Sequence, residues 1–145
     1  MSSRLDAIVQ RLVDVLTLDW RDHGRLKGLL ESQFTAALGH QARGMADIAQ
    51  QIVTLVQDIE ARRPQRDELL QLLMGRQANP GLLALVRRLP SSLSSEVRAR
   101  LDDVCRRLEA EARECKRLNL RNCELIHEQH ALMKRMMGLP ETCYA

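Results

Sequence analysis

The stretch that decides the fold runs from Ser92 to Leu139, SLSSEVRARLDDVCRRLEAEARECKRLNLRNCELIHEQHALMKRMMGL. Stepping alternately by four and three from Val97 gives Leu101, Val104, Leu108, Glu111, Cys115, Leu118, Asn122, Leu125, Gln129, Leu132, Met136 and Leu139. Only Glu111, Asn122 and Gln129 in this series are strongly polar. An apolar seam with a 3.5-residue period marks one face of a long α-helix built to pack along another helix, in the manner of a coiled coil. The helix predicted for 92–139 has about 45 residues and spans about 65 Å. Ser91, Ser92, Ser94 and Ser95 are the choices for its N-cap, and Glu96 favours its positive end.

Working back from this helix, the segment 1–39 starts at Ser2 or Ser3 and carries Leu5, Ile8, Val9, Leu12, Val15 and Leu16 at helical spacing. The stripe weakens where Asp19, His23 and Gly24 interrupt it, then resumes with Leu26, Leu29, Leu30, Phe34, Ala37 and Leu38. One long helix with a weak middle, ending near Gly39, is expected. His40 to Gly44 makes a short connection, so a second helix over 45–75, marked by Met45, Ile48, Ile52, Leu55, Val56 and Ile59, must fold back as an antiparallel hairpin. Pro64 either kinks that helix or restarts it before Leu69, Leu70, Leu72 and Leu73, and Gly75 is its C-cap. After the turn signal Asn79, Pro80, Gly81 a short helix over 81–89 is expected, stopped by Pro90. The resulting fold class is all-α. One domain over 1–145 holds a helical hairpin, a short helix and a long C-terminal helix as a coiled-coil-like three- to four-helix bundle.

Composition agrees with that class. The 145 residues are 45% hydrophobic and 28% charged, with only 7 Gly and 4 Pro, which leaves little room for turns. Trp20, Phe34 and Tyr144 are the only aromatic residues, so the core must be aliphatic and base-stacking platforms are missing. The net charge of +3 arises from interleaved acids and bases and identifies no anionic partner. Neither a signal sequence nor an apolar run of about 18 residues is present, which predicts a cytoplasmic protein without membrane insertion. Cys105, Cys115, Cys123 and Cys143 include no CxxC pair and are expected to be free thiols.

Few residues suggest chemistry. Cys123, His127 and His130 share one helix face and are candidate metal ligands, but three donors on one helix cannot easily surround a tetrahedral ion, and a fourth is missing. They read better as a polar face. A nucleophile on a turn, a glycine-rich phosphate loop and an HExxH motif are all lacking, so no catalytic residue and no cofactor is predicted. Arg98, Arg100, Arg106, Arg107, Arg113, Lys116, Arg117 and Arg121 line the long helix, but Asp102, Asp103, Glu109, Glu111 and Glu114 lie within helical reach, giving a self-neutralising face and no nucleic-acid track.

The end of the long helix is different. Leu132, Met133, Met136, Met137 and Leu139 gather where the helix outruns the cover expected from a second helix split at Pro64 and a first helix weakened near Asp19; they are either ordinary core or a thioether-lined groove that accepts another helix. Asn122 in the seam either fixes register and partner orientation or is a satisfied core amide.

The stretch Leu118, Asn119, Leu120, Arg121, Asn122, Cys123, Glu124, Leu125, Ile126 resembles the Leu-Asn-x-x-Asn-x-x-Leu-Ile pattern of the FlgN family of flagellar type III export chaperones. Leu29, Leu30 and Glu31 with Ala36, Ala37 and Leu38 look like that family's amino-terminal hairpin. The resemblance implies clients, the FlgK- and FlgL-like hook-filament junction proteins, held unassembled and delivered to flagellar export gate components. It also implies binding through the last helix, at Leu118, Asn119, Asn122, Leu125 and Ile126. The apolar seam extends that expected site to Gln129, Leu132, Met133, Met136 and Met137. The competing reading is a structural coiled coil whose seam is satisfied by self-association. Behind it stand a nucleic-acid-binding protein and a metal- or thiol-responsive regulator.

Overall fold

The computed structural model describes residues 3–75, 89 and 92–138. Four helices make up nearly all of them: α1 (Ser3–Leu38), α2 (Ala42–Ala61), α3 (Arg63–Met74) and α4 (Ser95–Met136). No strand occurs among the described residues, and the all-α class stands. The short helix expected over 81–89 lies outside them except for Leu89, whose side chain is buried in the core.

Helix α1 is the central element, and α2, α3 and α4 all pack on it. The polar contacts between α1 and α4 climb in step along both helices, from Asp6 with Ser94 and Gln10 with Arg100 to Leu30 with Asn122 and Ala37 with Gln129. The two longest helices are therefore parallel. Helices α2 and α3 run back between them in sequence, antiparallel to α1. The cover for the long seam is α1, which spans it as far as Gln129, and not the broken second helix.

Local chemistry explains the helix ends. Ser94 is the N-cap of α4: its Oγ accepts from the Val97 amide at 3.2 Å, while its own amide donates to Asp6 Oδ1 at 3.2 Å, pinning the start of α4 to the first turn of α1. Pro64 sits in the first turn of α3, where its missing amide hydrogen costs nothing, so the chain restarts there after a break at Arg62. Helix α1 ends in a Schellman motif: the Gln41 amide donates to Ala36 O and the His40 amide to Ala37 O. The left-handed position of that motif falls on His40, with φ of 54°, one residue after Gly39.

The core is uneven. A large cluster joins Val9, Leu12, Val13, Val15 and Leu16 of α1 to Leu69 of α3, Leu101, Val104, Cys105 and Leu108 of α4, and the connecting Leu89 and Leu93. Toward the other end only Leu30, Cys115 and Leu118 form a buried cluster, with Leu26 and Ile52 against it. Between the two clusters lies the weak middle that the sequence shows in the first helix. The helix is continuous there, because Asp19 serves an ionic clamp and not a break. Its carboxylate is fully buried and accepts from Arg62 and, at 3.1 Å, from Arg66, while Asp22 takes the second nitrogen of Arg62. The clamp fixes the α2–α3 junction on the side of α1.

Removing a buried partner leaves its counter-charge uncompensated. Asp19→Ala is therefore expected to lower stability by about 3 kcal/mol, near the lower end of the usual range because Asp22 still holds Arg62. Urea denaturation followed by circular dichroism measures it, and a loss under about 1 kcal/mol would contradict a clamp.

Candidate functional site

The seam positions of α4 divide by chemistry at Cys115. Before it, Leu101 and Leu108 are buried apolar side chains facing the large cluster. From it onward the same heptad position carries hydrogen-bond donors. Cys115 Sγ donates to His23 O at 3.2 Å, Asn122 Nδ2 to Leu30 O at 2.7 Å and Gln129 Nε2 to Ala37 O at 2.9 Å. Donors and acceptors each recur every seven residues, so a heptad ladder ties α4 side chains to α1 carbonyls. Asn122 also donates to Gln33 Oε1 at 2.8 Å and accepts from Arg121, which settles it as a satisfied core amide bonding a neighbouring helix. Gln129 adds a second bond to the Ala37 carbonyl in the last turn of α1, which also accepts from the His40 amide of the Schellman motif.

Arginines of α4 cover the two described aromatic rings. Arg107 lies over Trp20 at 5.4 Å and Arg121 over Phe34 at 3.7 Å, and Arg121 also reaches Glu31. Both rings thus belong to the α1–α4 interface. Four ion pairs run along α4, Arg106 with Asp102, Arg107 with Asp103, Arg113 with Glu109 and Arg117 with Glu114, and Glu111 pairs across to Lys27 of α1; the Arg117 bond to Glu114 is the shortest of the four. The hydrogen bond from Arg117 holds the Glu114 carboxyl below its usual range.

Beyond Gln129, α4 runs on for about two turns, roughly 10 Å, while α1 stops at Leu38. Leu132, Met133, Met136 and Met137 are accordingly 54–79% exposed. Ile126, Gln129, His130 and Met133 face His40, Ala42 and Met45 across an apolar notch of ≈ 230 Å³ at the start of α2. The expected client-binding residues are thus divided. Leu118 and Asn122 are buried against α1; Leu125, Ile126 and Gln129 are half-buried; Asn119, Leu132, Met133, Met136 and Met137 are exposed. Leu120 is 60% exposed and was not among the expected residues, since it lies off the seam.

Cys123, His127 and His130 are all exposed, His130 at the notch beside α2, and no group of three potential ligands gathers among the described residues. Cys105, Cys115 and Cys123 are free thiols. Burial, followed by the neighbouring Glu109 and Asp102, pushes the Cys105 thiol up to about 12, and burial, followed by Glu111, pushes Cys115 up to about 11. No helix among the described residues is long and apolar enough to cross a membrane. Residues missed by sequence reasoning include the clamp of Asp19 with Arg62 and Arg66. Its only signal was a buried-face position holding an acid, with two basic residues after a predicted break.

The family model described as FlgN protein matches residues 1–139. No curated protein and no solved structure matches the chain.

The thiols give a pH signature. The folded chain keeps the Cys105 and Cys115 protons after the unfolded chain, near 9.0, has released them, so stability is complete below about pH 9 and falls as pH rises toward 11–12. Urea midpoints at about pH 8 and about pH 10.5 should show this fall, and Cys105→Ala should reduce it. In a Cys143→Ser background Cys123 should be the one thiol alkylated rapidly under native conditions; fast labelling of Cys105 would contradict the packing.

Proposed function

We propose a client-binding mechanism for this chain, which belongs to the FlgN family, a family of flagellar export chaperones and not of enzymes. Its clients are FlgK- and FlgL-like hook-filament junction proteins, which it holds unassembled in the cytoplasm and delivers to the flagellar export gate. The binding element is the distal part of α4, from Leu118 to Met137.

The observation that carries this reading is the overhang. Four large apolar side chains, Leu132, Met133, Met136 and Met137, stay exposed where α4 passes the end of α1. A contiguous apolar end on a helix is unfavourable in water unless something covers it. Thioethers adapt to helices of differing shape, which suits a chaperone that serves more than one client. The notch beside Met133 and Met45 adds a place for one more apolar side chain. A client segment that is disordered alone would fold as an amphipathic helix while burying its apolar face here. The mechanism needs no cofactor, and the two arginine-covered rings are already used inside the chain.

Self-association through the same overhang is the second reading, favoured by the same exposure. The two are separated by co-expression with each junction protein and sedimentation of the free chain. Copurification of a junction protein with a monomeric chaperone is the expected result, and truncation at about Arg121 should abolish it. Replacing Leu132, Met133 and Met136 together by Ser should weaken binding at least about tenfold, about 1.4 kcal/mol, with helix content and melting temperature unchanged. If the triple variant binds as well as wild type, the overhang is not the site.

A further inference from the structure

The family-pattern residues Leu118 and Asn122 are 0% and 1% exposed, held against α1. They are unavailable to any client while the pair is closed. We propose that the distal half of α4, from Cys115 onward, is an autoinhibited segment: α1 occupies the client's place on it, and the donor ladder is the part of the seam that lets go. The proposal rests on the reading that junction proteins bind Leu118 to Met137.

The seam is built for opening at one end only. In the proximal half α4 is held by leucine, valine and cysteine side chains inside the large cluster, with α3 on the other side. In the distal half the buried apolar set shrinks to Leu30, Cys115 and Leu118. Around that small set stand half-buried Leu26, Ile52, Leu125 and Ile126 and the ladder, each rung of which is an extra bond to a helix carbonyl. When Asn122 and Gln129 leave, their amides meet water or a client backbone, and the carbonyls of Leu30 and Ala37 keep acceptance from Phe34 and His40 along α1. Opening therefore strands few buried polar groups, whereas opening of the proximal half would bare Leu12, Leu16 and Leu101. Arg121 accompanies the change, since its contacts to Phe34 and Glu31 sit on the same turn as Asn122. The exposed end at Leu132 to Met137 supplies a foothold from which a client can follow the opening inward.

Selection of an open state ties two measurements together. When the competent state is a small fraction of the whole, the apparent Kd scales inversely with that fraction. Asn122→Leu replaces a rung by an apolar side chain against Leu30 and should close the segment, while Leu30→Ala, a change on α1 outside the client site, should open it. Native-state hydrogen exchange should show a step near Cys115, with amides of 118–129 at least tenfold less protected than those of 101–111. Asn122→Leu should raise distal protection and raise the Kd for a purified hook-filament junction protein by the same factor. Leu30→Ala should lower both by a common factor. Proximal protection serves as the check that each variant is folded. Uniform protection from Val97 to Gln129 overturns the proposal, as does weaker junction-protein binding by Leu30→Ala. A wild-type chain that shows the exchange step but binds no junction protein overturns the client reading alone.

Discussion

The structure depends on the parallel pairing of α1 with α4. Parallel helices cannot be neighbours in a short hairpin, so the chain must return along the bundle before α4 can start, and α2 with α3 make that return. The pairing is fixed at three levels: Ser94 on Asp6 at the start, leucines and valines through the first half, and the donor ladder to Gln129 at the end. Each level does a different task. Hydrophobic burial holds the helices together without setting their offset, whereas hydrogen bonds of fixed spacing set the offset without adding much cohesion. Shifting α4 by one turn would break the bonds of Asn122 to Leu30 O and Gln33 Oε1 and slide Leu101 and Leu108 off their places in the large cluster.

That division makes stability unequal along one molecule. Where Leu69 of α3, Leu89 and Leu93 join the cluster beside the seam, the buried set is large; toward α2 it is small, and Val53 and Val56 of α2 remain exposed. Local opening follows low packing density, and binding elements are drawn from such regions because they must change partner. A chaperone has the same requirement, since a fully satisfied surface cannot take a client.

Much of this was legible in the sequence because helices announce themselves through period. The seam from Val97, the hairpin, the restart at Pro64 and a serine cap before Glu96 all follow from spacing and local chemistry. Period tells which face of a helix is covered, but it does not tell by what. Cover for α4 was expected to be incomplete, with the second helix split and the first weakened near Asp19, while the structure supplies a continuous α1. Asp19 and His23 looked like interruptions because an acid on an apolar face has no visible partner until Arg62 and Arg66 are brought to it by a fold-back of the chain. The left-handed residue at the end of α1 falls on His40 and not on Gly39, a choice set by the Schellman bonds to Ala36 and Ala37. As for the site, the Met-rich end was visible as excess length, but the burial of Leu118 and Asn122 depended on the offset between two helices, which no single stretch encodes.

The offset has a consequence during synthesis. Partners on α1 and α4 are about ninety residues apart in the chain, as with Gln10 and Arg100 or Leu30 and Asn122. On a ribosome the fold-back of α2 and α3 onto α1 involves nearer contacts and can form first, while the other face of α1 stays bare until α4 emerges. The helix proposed to receive clients is thus translated after α1, α2 and α3, and a nascent chain stalled before it would present an uncovered α1 seam rather than a chaperone.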